Sequence, residues 1–129
     1  MTTVRRAAPV EDARRLLRTN ENGVTTLTLN RPAQFNALTQ ALLGELETAL
    51  AAIALDPVVR VVVLAGAGKA FCAGHDLREI HESADPEIAS DAFAHAGRVM
   101  LALTRLPQPV IARVHGAAYA AGCQLVAQC

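Results

Sequence analysis

Residues 58–64 read Val-Val-Arg-Val-Val-Val-Leu, an apolar run broken only by Arg60. Such a run, rich in β-branched side chains, predicts a strand buried on both faces, as in a parallel sheet flanked by helices. Asp56-Pro57 stops whatever precedes it, and Ala65-Gly66-Ala67-Gly68 turns the chain immediately after it. Towards the N-terminus, Leu42, Leu43, Leu46, Ala49, Leu50 and Ile53 recur at helical spacing, so a helix is predicted from an N-cap at Thr39 to about Leu55. Before it, Val24-Thr25-Thr26-Leu27-Thr28-Leu29 alternates as a strand does, and Asn30-Arg31-Pro32 ends it. Towards the C-terminus, polar residues 78–90 read as a loop or irregular helix. A helix then covers about Asp91 to Arg105, with Phe93, Ala96, Met100 and Leu103 as its stripe. Pro107 and Pro109 lead into a third buried strand, Val110 to Val114. His115-Gly116 turns the chain, and a last helix begins at Tyr119. Strands and helices in this alternation imply an α/β layer architecture with right-handed crossovers.

Composition bounds the rest. A chain of 129 residues makes one small domain, and its 52% hydrophobic content draws heavily on 26 alanines, with only 3% aromatic residues. Twelve basic residues balance twelve acidic ones, which gives no electrostatic case for nucleic acid or an anionic membrane as partner. No apolar run approaches the ~18–20 residues that span a bilayer. Three cysteines make no disulfide framework, so a reducing, cytoplasmic setting is expected. Residues 1–20 carry five arginines against Glu11 and Asp12 and lack the apolar core of a secretory signal. They are expected to form a loosely held, partly helical extension to a domain over residues 21–129.

Several familiar motifs fail. Gly66-Ala67-Gly68-Lys69 lacks the Gly and the Ser or Thr of a phosphate loop, because Val63 and Ala70 stand there. The third glycine of a dinucleotide fingerprint would be Phe71. Neither Ser83 nor Ser90 sits in a nucleophile elbow. Cys72-x-x-His75 with His81 has superficial metal spacing but no second compact ligand pair, and no metal is expected.

Two glycine-containing turns remain, Phe71–Leu77 and His115–Leu125, each leading from a strand's carboxyl end towards a helix. Ligands of open α/β sheets bind at such ends. Two backbone N–H groups converging there would make an oxyanion hole for a carbonyl oxygen. Close packing explains the small residues of these turns equally well.

The set Leu29-Asn30-Arg31-Pro32 with Asn36-Ala37-Leu38, then Ala70 through Leu77, then Val114-His115-Gly116 through Ala127, resembles the enoyl-CoA hydratase/isomerase (crotonase) superfamily over roughly residues 24–129. The form Ala-Ala-Gly-Cys-Gln-Leu-Val-Ala is similar to its divergent enoyl-CoA hydratase domain-containing subgroup. The resemblance implies a crotonase-like ββα-spiral core, incomplete at the C-terminus, and an acyl-CoA thioester as substrate. Coenzyme A would then be part of the substrate, with no permanently bound cofactor, and the assembly would be a homotrimer or hexamer. It assigns the two oxyanion-hole N–H groups to His75 and Ala121, acting through the main chain, and leaves the His75 imidazole as a possible lining of the acyl pocket. Ala33, Gln34 and Phe35 match the loop that touches coenzyme A, and Ala73, Asp76 and Leu77 match the rest of the thioester cradle.

One departure bears on the chemistry. The first of the family's two catalytic glutamates falls on Gln124, whose amide cannot act as a general base. The second would fall beyond Cys129. Glu79 or Glu82 could stand in as acids. The alternative reading is a non-catalytic acyl-CoA-binding homologue or an inactive truncated fragment.

Overall fold

The computed structural model describes residues 14–129. Strand β1, Leu16–Glu21, turns at Asn22-Gly23 into β2, Val24–Leu29, and the two pair antiparallel with Glu21 opposite Val24. Both turn residues have positive φ, 50° and 80°, the left-handed geometry that matches the twist of a two-residue hairpin. Residues 16–20 therefore correct the expected N-terminal extension: they belong to the sheet, whereas residues 1–13 of that extension lie outside the described residues. The Asn-Gly pair was the signal for this hairpin, although β1 itself, Leu-Leu-Arg-Thr-Asn-Glu, has little apolar alternation to announce a strand.

A 3-10 turn at Pro32–Gln34 follows, then helix α1, Gln40–Ala54. Its start is as the sequence implies, with the Thr39 side chain accepting the Leu42 N–H at 3.2 Å. Strand β3, Val61–Gly66, lies parallel to β2, and β4, Val110–Arg113, lies parallel to β3, giving the order β1-β2-β3-β4. Between them run a short α2, Leu77–His81, and α3, Pro86–Arg105; α4 spans Ala121–Gln128. Helix α3 begins five residues earlier than its apolar stripe suggests. Asp85 caps it by accepting the Glu87 N–H at 2.9 Å, and Pro86 occupies the first turn, where it sacrifices no bond.

The helices pack on one side of the sheet. Leu27 and Leu29 of β2 and Val62 and Leu64 of β3 meet Leu42, Leu43, Leu46, Leu50 and Ile53 of α1, Ala96, Val99, Met100 and Leu103 of α3, and Leu125 of α4. The expectation of strands buried on both faces holds for only one face among the described residues. Val61 and Val63 are half-buried, and Ile111 and Val114 at the β4 edge are exposed, since no described element lies over that side. His95 ties α3 to α1 through Gln40 Oε1 and Glu47 Oε2, each at 2.6 Å.

The hairpin yields a stability test. Gly23 sits at φ +80° with Arg60 against it, so Gly23→Ala forces a side chain into left-handed backbone. It should lower unfolding free energy by about 1–2 kcal/mol, read as a lower urea midpoint at unchanged m-value.

Candidate active site

The site is assembled from three loops, and the first is held by Asn36, which is fully buried. Its carboxamide oxygen accepts the Arg31 N–H at 2.8 Å. Its Nδ2 donates towards the carbonyls of Ala67 and Ala70, both at 2.9 Å, and of Phe71 at 3.1 Å. One side chain thus closes its own loop and stitches it to the segment after β3. Phe35 and Asn36 both adopt left-handed backbone, φ 51° and 57°, which turns the chain sharply between the 3-10 turn and Leu38.

The segment 70–76 runs between two neighbours. On one side Leu38 bridges His75 as parallel strands do: the Leu38 N–H donates to Gly74 O at 2.7 Å, and Leu38 O accepts the Asp76 N–H at 2.9 Å. In that ladder the flanking residues make the bonds, so the N–H of His75 itself is turned away from Leu38 and has no acceptor among the described residues. On the other side Cys72 bridges Ala118. The N–H groups of Phe71 and Cys72 donate to Ala117 O at 2.9 and 3.2 Å, and the Tyr119 N–H donates to Cys72 O at 3.0 Å.

This pairing draws the two turns into contact. Gly122 lies against the Cys72 carbonyl so closely that any side chain there would collide with it. A methyl group on Gly74, at φ +97°, would sit 3.0 Å from Tyr119 O and 3.4 Å from the nitrogen of Ala121. Ala120 takes the rare conformation φ 49°, ψ −119° just before α4, a strain of about 1–3 kcal/mol that the surrounding bonds must hold. The next N–H, that of Ala121, is the first of the helix and has no acceptor among the described residues. Ala121 therefore packs close to Gly74, the chain neighbour of His75, and neither the His75 nor the Ala121 N–H has an acceptor among the described residues.

The remaining expected residues divide. The Ala73 N–H donates to Phe35 O at 3.0 Å, which sets the Ala33-Gln34-Phe35 turn alongside the site. Phe35 and Leu77 expose more than half of their surface, leaving apolar contact area open beside that turn. Gln124 is exposed, one helical turn beyond Ala121, and its amide makes no bond to a described residue. The Asp76 side chain faces elsewhere. It is buried, caps α2 by accepting the Arg78 N–H at 3.1 Å, and receives both terminal nitrogens of Arg31 at 3.2 Å. Its backbone N–H is taken by Leu38, so Asp76 shapes the loop through Arg31. Glu79, weighed as a stand-in acid, accepts the Gln40 N–H at 3.0 Å and so serves the start of α1.

Phe93 was read as part of the α3 core stripe, but it is 54% exposed, and its ring meets the His75 imidazole edge-to-face at 4.8 Å between centroids. Asn36, Arg31 and Phe93 are the contributors whose roles sequence reasoning missed. The first two lie inside the motif that carried the resemblance, and only their partners in space reveal what they do.

A family model described as "Enoyl-CoA hydratase/isomerase" matches residues 19–129. Over 109 residues, 84% of this chain, the sequence is 38% identical to enoyl-CoA hydratase domain-containing protein 3, mitochondrial, of Xenopus laevis. Over 113 residues, 87% of this chain, it is 39% identical to enoyl-CoA hydratase, mitochondrial, of Pongo abelii. A crystal structure of an enoyl-CoA hydratase from Mycobacterium smegmatis superposes on 90% of the chain with a TM-score of 0.87 and 57% identity. The fold and the paired loops are those of the crotonase class of α/β proteins. The chain belongs to the enoyl-CoA hydratase/isomerase family. It spans 37% of the Xenopus protein, 38% of the Pongo protein and 46% of the mycobacterial chain.

Two consequences can be measured. Asn36→Ala leaves the buried Ala70 and Phe71 carbonyls, the half-buried Ala67 carbonyl and the Arg31 N–H without this partner, and each buried group costs about 1–3 kcal/mol. The variant should therefore lose about 3 kcal/mol or more in denaturant titration. The second concerns acid. Burial pushes the Asp76 carboxyl up, but the bond from Arg31, the N–H groups of Arg78 and Glu79 and the Arg31 charge outweigh it and hold it below its ordinary value of 3.8. A depressed folded pKa contributes stability above the unfolded value that is lost as pH falls through the folded value. Asp76→Asn should thus be destabilised at neutral pH and show a flatter loss of stability below about pH 4 than the parent.

Proposed function

We propose that this chain binds an acyl-CoA thioester across the Phe71–Leu77 and His115–Leu125 loops and stabilises its enolate, as an enzyme of hydratase or isomerase type. The observation that supports the reading is that the two loops pair with each other and that the N–H groups of His75 and Ala121, one on each loop, have no acceptor among the described residues. A thioester oxygen accepting both would be polarised in the ground state and stabilised far more as charge develops on it, with no donor left to reorient. The acidity of the adjacent C–H rises accordingly. The pantetheine and adenine portions would run along Ala33-Gln34-Phe35, with Ala73 and the exposed Leu77 completing the cradle; Asp76 acts from behind through Arg31. Coenzyme A enters as part of the substrate in this reading, which also includes no resident cofactor, a homotrimer or hexamer and a cytoplasmic setting.

Gln124 favours a second reading, a binder without hydration chemistry, because its amide holds no titratable proton. Calorimetric titration with crotonyl-CoA, run beside absorbance of its conjugated thioester, separates the two. Loss of the conjugated band supports a hydratase; heat without loss of the band supports a chain without hydration chemistry.

Ala121 offers a clean test of the donor pair. It is the first residue of α4, where proline removes the N–H without breaking a helical bond. Ala121→Pro is expected to weaken stabilisation of the developing oxyanion by about 2.7–4 kcal/mol. It should also abolish the red shift of a bound enoyl thioester, with helix content preserved by circular dichroism. An unchanged shift in the folded variant would remove Ala121 from the site.

A further inference from the structure

Resting on the thioester reading above, we propose that the His75 imidazole is the proton acceptor at the α-carbon of the bound acyl group, in the place that the amide of Gln124 cannot fill. Among the acids near the site, Asp76 is committed to Arg31 and the start of α2 and Glu79 to the Gln40 N–H, whereas Glu82 lies exposed at the far end of α2. Gln124 carries no titratable group, and Cys72 is buried with its thiol bonded to Asn36 O. His75 differs from all of these. Its ring nitrogens bond to no described residue, yet the ring is half-buried and fixed edge-to-face against Phe93 at 4.8 Å.

Position follows from covalent structure. Imidazole nitrogens lie within about 5 Å of their own backbone nitrogen, and a carbonyl oxygen held by that N–H lies about 3 Å from it. The α-carbon, bonded to the carbonyl carbon, then lies no more than about 5.5 Å from the His75 backbone nitrogen, a span comparable to that of the imidazole itself. Burial lowers the imidazole pKa from 6.5, which keeps the ring unprotonated and able to accept a proton at neutral pH.

The step balances without a co-reactant. A ring nitrogen lone pair takes the α-hydrogen as a proton, and the C–H electron pair becomes a carbon–carbon double bond to the carbonyl carbon. The carbonyl π pair moves onto the oxygen between the His75 and Ala121 N–H groups. Collapse of the enolate returns the proton from the imidazolium to the α-carbon. In a β,γ-unsaturated chain it can go instead to the γ-carbon, moving the double bond into conjugation.

The test uses the full chain with 3-butenoyl-CoA in deuterated water, following α-hydrogen exchange by NMR, with thioester binding and the carbonyl spectral shift measured in parallel. His75→Ala and His75→Gln both keep the main-chain N–H and remove the base, the second at similar bulk. Exchange should fall by about 100-fold or more in both variants, with affinity and spectral shift retained. In the parent its rate should rise with pH and level off below the ordinary histidine range. Exchange that persists in either folded variant, or a parent that binds with the spectral shift but does not exchange, overturns the assignment of His75. A parent that neither binds nor shifts the spectrum overturns the thioester reading itself, and this inference with it.

Discussion

The buried carboxamide of Asn36 is the constraint on which the site depends. A position with no solvent exposure must satisfy three carbonyls and one N–H at once, and only a short primary amide supplies both donors and an acceptor in that space. Asp lacks the donors, and Gln carries an extra methylene into a closed cavity. The left-handed backbone at Phe35 and Asn36 costs about 1–2 kcal/mol per residue, so the loop is stable only while these bonds exist. From it hang the Arg31–Asp76 pair, the bond from the Ala73 N–H to Phe35 O and the Leu38–His75 bridge. The geometry of the first donor loop is therefore set from 31–38, a segment that comes before the first helix and carries none of the donors.

The second donor loop is fixed by direct backbone pairing with the first. Three amide–carbonyl bonds and close contacts at Gly74 and Gly122 join 71–74 to 117–122, and Ala120 beside them adopts a conformation that an alanine seldom takes. Strain held by surrounding structure is a familiar property of sites that must present a group in one orientation. Here the orientation belongs to the Ala121 N–H. Backbone donors placed this way do not depend on the side chains that carry them. Substituting the side chain of His75 or Gln124 therefore leaves the main-chain N–H groups of His75 and Ala121 in place.

Much of this was legible in advance, for identifiable reasons. Thr39 announced α1 because a hydroxyl N-cap and a helical apolar stripe coincide there, and Val61–Gly66 announced a parallel strand through its unbroken β-branched run. His75 and Ala121 were named from motif positions of the resemblance, and the N–H of neither has an acceptor among the described residues. The misses came from long-range geometry. β1 is polar and gains its place from hydrogen bonding to β2, so only the Asn22-Gly23 turn betrayed it. The start of α3 is solvent-facing, which hid a capped helix inside what reads as a loop. Asp76 was taken for a cradle residue because it sits in the motif, but its carboxylate is claimed by Arg31, 45 residues earlier. Phe93 carried the helical period of a core residue, and nothing local could show that its ring leaves the core for His75.

Cys72 shows how the same packing governs a reactive group. A thiol is a potential nucleophile through its thiolate. Burial pushes this thiol up to about 11, although the Gly74 N–H works in the opposite direction. At neutral pH the reactive thiolate is then about one part in ten thousand. The sulfur instead donates to Asn36 O at 3.3 Å beneath the loop. The position demands a small residue, because Cys72 O and Cβ lie against Gly122 and its backbone pairs with Ala118. Cysteine meets that demand while its thiol is kept unreactive by the burial that closes the loop. Cys72 is thus governed by packing, and the nucleophilicity of its thiol is suppressed by desolvation.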